Sequence, residues 1–523
     1  MIRNSRFRVL VTACAAALVL GACSGTGTGP PTGGPEPTGD PVAGGTARVL
    51  QITEPRNLDP ATMGNSWAVN AFLGNALYGT LMTDDPRTGA VRYKMAESFT
   101  TDDGGATFEL RLRPGLAFSD GSPLDAAAVK FNWDRTKDPA TGSTSVNEAS
   151  MIASSETVDA TTLKITMVSP IPSYAQAVLS TTMNWIASPA SLRKGAKTFD
   201  AAPVGAGPFT LEKWTRQNTI DLVRNPRYWD APKPYLDRIT LRTSADSVQR
   251  VNSMISGGAD VAIDTNWRTL AKARDAGFLT DTVPLNGGQY LALNARRAPF
   301  RDVRARRAVA AALDLRALDI AVYNGRGKTA RTLFTESSPF YSAEPLTKTD
   351  KETAQRLFDE LAAEGEPVSF TFKAFASPEA KTTAESVQAQ LSAFRNVDVE
   401  IDTVDSSEIA ALYTRNDFDM LISSALFVDP EPRLWSVFHG DSRLNRSGVD
   451  DERLNAALDA GRTETDPEKR AAAYGTVQRR MADLVPAIFV GRSAPSAVAA
   501  PNVHGVQQYG QGSLLPEELW IQK

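Results

Sequence analysis

Apolar and polar residues alternate along 107–113. Phe108, Leu110 and Leu112 interleave with Glu109, Arg111 and Arg113, the period-2 pattern of a half-buried strand. Pro114-Gly115 suits the centre of a type II turn, where Pro presets φ and Gly accepts a positive φ. A short apolar piece over 116–118 predicts a second strand, ended by Ser119-Asp120-Gly121. Asp125 is then placed to cap a helix carrying Ala126, Val129 and Trp133 at helical spacing. Upstream, 47–53 predicts a first strand broken at Glu54-Pro55, and 67–81 a helix. Downstream, 157–168 predicts a strand pair around a turn, 173–186 a helix, 214–223 and 239–243 strands, 248–256 a helix and 289–293 a strand. The segment 303–322 predicts one long helix with Asp302 as cap. From there helices (351–363, 379–394, 408–413, 451–460, 467–484) alternate with strands (367–374, 397–403, 419–423), which favours sheets covered by helices, an α/β fold.

Several phrases recur in an order that the local patterns do not require. Ala96-Glu97-Ser98, Asp102-Asp103-Gly104, Leu112-Arg113-Pro114-Gly115 and Phe118-Ser119-Asp120-Gly121 together resemble the signature of extracytoplasmic solute-binding proteins of the peptide/nickel class, family 5. Pro203-Val204-Gly205-Ala206-Gly207-Pro208-Phe209, Asn225 to Tyr228-Trp229, Tyr235-Leu236-Asp237 and Ser256-Gly257-Gly258-Ala259-Asp260 resemble further segments of that family, over nearly the whole mature chain. Gly205 and Gly207 are expected to act as backbone joints. The resemblance implies two α/β lobes of the periplasmic-binding-protein type (class II) joined by two crossovers, with a subdomain inserted in the first. The implied division is a lobe 1 core over 44–85 and 203–288, an inserted subdomain over 86–202, lobe 2 over 289–492 and a return to lobe 1 over 493–523. It also implies capture of a peptide or similar small solute in the interlobe cleft and delivery to an ABC permease with its ATPase subunits.

The first 22 residues carry Arg3, Arg6 and Arg8, then an apolar run over 9–20, then Leu20-Gly21-Ala22-Cys23. A basic start and an apolar core of about a dozen residues describe an export signal, too short for a membrane span. The ending is similar to a lipobox with Cys23 as the lipidated first residue; a plain secretory signal cut near Ala22 is the alternative. Cys14 leaves with the signal, so no intramolecular disulfide is expected. Loss of three arginines and no acid takes the formal net charge from −4 to −7. That balance argues against nucleic acid as partner. Residues 24–43 are Gly, Pro and Thr with little to bury, a tether spanning about 25 Å. The expected address is extracytoplasmic: a monomer lipid-anchored at the outer face of the cytoplasmic membrane or in a periplasmic space. The remaining stretch of about 480 residues is too long for one core.

No His-Glu-x-x-His run, Cys-x-x-Cys pair, Gly-x-Ser-x-Gly elbow or phosphate loop occurs, so no metal, cofactor or enzymatic activity is expected. The competing readings are a lipid-anchored hydrolase or transferase, and a ligand sensor without transport. The arginines at 304, 306, 307 and 316 read as a solvated basic face rather than an anion site. In peptide-binding relatives an acidic residue stands a few positions before an Asp/Glu-Pro pair; here the pair is Asp429-Pro430 and Leu426 stands three before it. Asp429 is the substitute counter-charge for a peptide ammonium, a nickel chelate or a sugar being other cargoes. The remaining expected ligand contacts are Glu54, Asn57, Trp67, Trp185, Trp267, Phe427 and Trp435, aromatic rings and polar groups in or beside loops expected at the cleft.

Overall fold

The computed structural model describes residues 39–66, 68, 70–405 and 408–522. The expected export signal, Cys23, nearly all of the tether and Trp67 lie outside them.

Lobe 1 is built on a seven-stranded sheet. Strand Thr46–Gln51 pairs in parallel with Arg238–Thr243 on one side and Val261–Asp264 on the other. The sheet is extended antiparallel by Thr219–Arg224 and Phe209–Thr215 at one edge, and by Ser496–Ala499 and Leu279–Thr282 at the other. The chain's last segments therefore return to lobe 1.

The inserted subdomain is a four-stranded antiparallel sheet that contains the alternating stretch. Thr107–Leu112 runs between Ala96–Thr100 and Thr162–Met167, with Ile152–Thr157 outermost. Phe108, Leu110 and Leu112 are buried under helix Ala126–Lys137, which starts where Asp125 accepts from the Ala128 N–H at 2.8 Å. Phe99 and Phe108 stack at 4.8 Å, and the Trp133 indole donates to the Met183 carbonyl at 2.8 Å.

Lobe 2 holds a five-stranded sheet in the order Val397–Val404, Val368–Phe375, Met420–Phe427, Asn286–Leu293, Ala487–Gly491. Helices Val303–Ala312, Lys351–Ala363 and Pro378–Leu391 close one face with a core of Leu291, Phe300, Phe358, Phe370 and Leu391. Pro467–Leu484 and Glu452–Thr463 cover the other, over Tyr290, Phe334, Phe438 and Tyr474.

Five expected elements differ. The strand expected over 214–223 is two, turning at Gln217 with φ of 60°. No Gly or Pro marks that turn, and Trp214 and Ile220 both pack on the lobe 1 core, so the apolar pattern runs through it. The long helix over 303–322 breaks at Leu313, which is extended, because Asp314 accepts from the Arg316 and Ala317 N–H groups and starts a second helix, Leu315–Tyr323. Residues 116–118 form no strand, only an isolated bridge between Ala117 and Pro123. The helices expected over 67–81 and 173–186 shorten to Ala71–Tyr78 and Tyr174–Leu179.

The arginine cluster is not a solvated face throughout. Arg304 forks between Asp302 and Glu364, at 2.7 Å from each. Arg306 is buried, donating to the Phe300 and Leu484 carbonyls, and burial pulls its guanidinium down to about 10.

Candidate functional site

In lobe 1 the parallel strands Thr46–Gln51, Arg238–Thr243 and Val261–Asp264 end on one side of their sheet. In lobe 2, Val368–Phe375, Val397–Val404 and Met420–Phe427 are likewise parallel. The crossover 283–285 enters lobe 2 at Asn286, which pairs with Phe427 at the carboxyl end of its strand. Those carboxyl ends thus face the crossover and lobe 1. From lobe 1, Asn266, just past the end of Val261–Asp264, donates to the Glu379 carboxylate of lobe 2 at 2.9 Å. The two sets of carboxyl ends confront each other, and the crevice outside such ends is where α/β proteins bind ligands. Two further contacts bridge the lobes: Gln511 donates to the Leu426 carbonyl at 3.0 Å, and Arg462 approaches the Met151 sulfur at 3.8 Å.

The second crossover, 492–495, is tied on both sides. Arg492 donates to the Gly287, Thr332, Leu333 and Phe334 carbonyls of lobe 2, while its own carbonyl accepts from the Trp267 indole of lobe 1 at 2.9 Å. Burial lowers the guanidinium to about 10. It remains charged at neutral pH, and among the described residues its N–H groups are taken up by those carbonyls and by the Thr332 hydroxyl at 3.2 Å.

Two cavities lie at the interlobe side of lobe 2. One, of about 340 Å³, occupies the fork where Val368–Phe375 and Met420–Phe427 part after only two register pairs, Phe372 with Met420 and Lys373 with Leu421. Gln289, Phe375, Tyr413, Ser423, Arg433 and Arg446 line it. The other, of about 400 Å³, lies between the subdomain (Arg87, Ser173) and lobe 2 (Phe340, Asp429, Arg462, Arg470), beside Pro284 and Asn286.

The expected site residues divide. Asp429 lines the larger cavity, but both its carboxylate oxygens are engaged by Arg470, at 2.7 and 2.8 Å. Trp267 and Trp435 are spoken for: the first in the crossover, the second by Asp459 at 2.8 Å, His439 stacked at 4.5 Å, and Arg462 over its ring at 4.5 Å. Glu54 accepts from Trp214 and the Gln217 N–H within the lobe 1 hairpin. Asn57 accepts from the Asp59 N–H at 3.1 Å, an Asx turn. Trp185 and Phe427 are 1% and 2% exposed and belong to the cores of lobes 1 and 2. Among the described residues of this set, Asp429 alone lines either of the two cavities. The sequence passes over Arg433 and Arg446, which no local motif distinguishes from other surface arginines.

Residues 90–444 match the family of bacterial extracellular solute-binding proteins, family 5 (middle region). The chain belongs to that family. Among curated relatives, the glutathione-binding protein GsiB of Escherichia coli (strain K12) is 29% identical over 322 residues, 61% of this chain and 62% of the relative. The chain thus matches less than two thirds of that relative's length. Among solved structures, the periplasmic binding protein AgaA with agropinic acid, from A. tumefaciens R10, is 25% identical with a TM-score of 0.78, covering 92% of this chain and 99% of that one. NikA from Brucella suis with Fe(III)-EDTA is 24% identical, with a TM-score of 0.78 over 91% of this chain and 100% of that one. The family places the chain outside the cytoplasm and accounts for the two-lobed fold.

Proposed function

We propose that this family 5 protein is the substrate-capturing component of an ABC importer, taking a small solute between its lobes and presenting the closed form to a membrane permease. The observation that carries the reading is the confrontation of the two sets of strand carboxyl ends across a crevice spanned by two crossovers, 283–285 and 492–495. A pair of connections lets the lobes pivot, and a solute touching both favours the closed state by its differential affinity. The cargo is a peptide or similar small organic solute, in keeping with the GsiB relationship. With Asp429 engaged by Arg470 and Leu426 three residues before it, a peptide ammonium has no ready counter-charge there. In this reading Cys23 carries the lipid that holds a monomer at the outer face of the cytoplasmic membrane or in a periplasmic space, as the preceding apolar run supports.

Native mass spectrometry of protein from its own host should reveal a co-purified solute. Adding that solute to stripped protein should shrink the radius of gyration in solution scattering, and deleting the gene should abolish its uptake. Chemical turnover of the solute, or unimpaired uptake in the deletion strain, counts against the proposal.

A further inference from the structure

The smaller cavity holds an electrostatic imbalance. Arg433 and Arg446 both line it, and among the described residues no carboxylate lies within 4.0 Å of either guanidinium. The two lobe 2 arginines that line the larger cavity, by contrast, are paired or near-paired: Arg470 with Asp429 at 2.7 Å, Arg462 with Glu431 at 3.9 Å. Arg433 donates to the Ser424 carbonyl at 2.8 Å. Arg446 donates to the Tyr413 carbonyl at 3.0 Å and lies 4.2 Å over that ring. These contacts fix both heads against the wall and leave N–H donors over, since a guanidinium carries five. Burial pulls Arg446 below its ordinary value against the opposing influence of Tyr413 and Tyr290, and the like charge of Arg433 adds a smaller push in the same direction as burial. The lobe 1 charge in reach is Glu148, which feels Arg433 without forming an ion pair and is raised by its own burial. Two partly dehydrated like charges in one cavity are costly unless an anion joins them.

The wall beyond the arginines is aromatic and weakly polar. Phe375 and Tyr413 meet edge to face at 6.3 Å, with Gln289, Ser423 and Ser424 alongside.

We propose that the solute is anionic, its carboxylate held between Arg433 and Arg446 and its apolar body lying on Phe375 and Tyr413. This rests on the capture reading and names the class of cargo. Arginine suits the role because its planar fork matches a carboxylate with two parallel hydrogen bonds.

The test compares 3-phenylpropionate with its neutral amide, by titration calorimetry and thermal melts, on wild type, Arg433→Gln, Arg446→Gln and the double variant. The carboxylate should bind at least about tenfold tighter than the amide, and each single variant should lose about tenfold in carboxylate affinity. Sulfate at matched ionic strength should raise the melting temperature of wild type more than that of the double variant. Arg446→Lys, which keeps charge and bulk, should retain part of the carboxylate affinity and so separates lost charge from lost packing. Equal binding of acid and amide overturns the anion site. So do variants indistinguishable from wild type, or an absence of any carboxylate or sulfate effect that the double variant removes. A neutral solute that still compacts the protein in scattering would leave the capture reading standing while the anion site falls.

Discussion

Glu431 sits two residues beyond Asp429 with its side chain out of water, accepting from the Tyr474 hydroxyl at 3.3 Å and lying 3.9 Å from the Arg462 guanidinium. Burial dominates the opposing pull of Arg462, and its carboxyl rises from 4.5 to about 8. Between those values the folded chain keeps a proton that the unfolded chain gives up, so stability falls as pH rises through the window. Asp84, raised by burial to about 6, adds a slope of the same sign at lower pH. Glu431→Gln should flatten the decline between pH 6 and 8 and leave the protein more stable than wild type at pH 8.5, measured by urea denaturation across pH 5–9. An unchanged slope would count against a buried neutral Glu431. From the sequence, Asp429 and Glu431 are two acids in a proline-rich turn. Their different surroundings follow from Arg470, two helices further along the chain, which reaches Asp429 with both nitrogens while Glu431 lies in the interior.

Helix Ala71–Tyr78 lies directly against the 205–208 segment. A methyl group at Gly205 would sit 2.2 Å from the Leu77 carbonyl oxygen, and one at Gly207 would sit 2.3 Å from that of Ala76. Neither glycine has a positive φ, so their role is close approach of two backbones rather than the joint that the sequence suggests. Gly207→Ala should destabilise the protein by about 1–3 kcal/mol, read from thermal or urea melts, because the opposing atoms are main chain and cannot swing aside. Caps were legible at this scale, Asp125 and Asp302 among them, since capping is written in adjacent residues. The hairpin turn at Gln217 was not, as it carries neither Gly nor Pro and only Asn218 hints at it.

At the scale of the whole molecule, side-chain contacts across the crevice join lobes built on different sheets. Glu379 accepts the Asn266 side chain across the crevice, while Asn266 also caps helix Trp267–Asp275 through the Arg268 and Thr269 N–H groups. Glu379→Ala removes the bridge without touching that cap. It should leave the melting temperature within a few degrees of wild type, enlarge the radius of gyration of the unliganded protein and weaken apparent solute affinity about two- to tenfold, one hydrogen bond's worth of bias toward the open state. Scattering and calorimetry on the same samples check both halves; an unchanged radius with unchanged affinity would show that the bridge does not bias closure.

The sequence by itself determined the family, the alternation that makes the subdomain sheet, the helices of lobe 2 and the broad class of activity, because these depend on periodicity and on neighbours along the chain. Only the tertiary structure decided which side chains meet the crevice. Tryptophans at 185 and 267 and Phe427 look like ligand contacts in sequence because large flat residues serve cores, hinges and ligands equally well. Arg433 and Arg446 become a site only when strands Val368–Phe375 and Met420–Phe427, far apart in the chain, part company around them. A charge is ordinary or consequential according to what lies within a few ångströms of it, and that is a property of the fold.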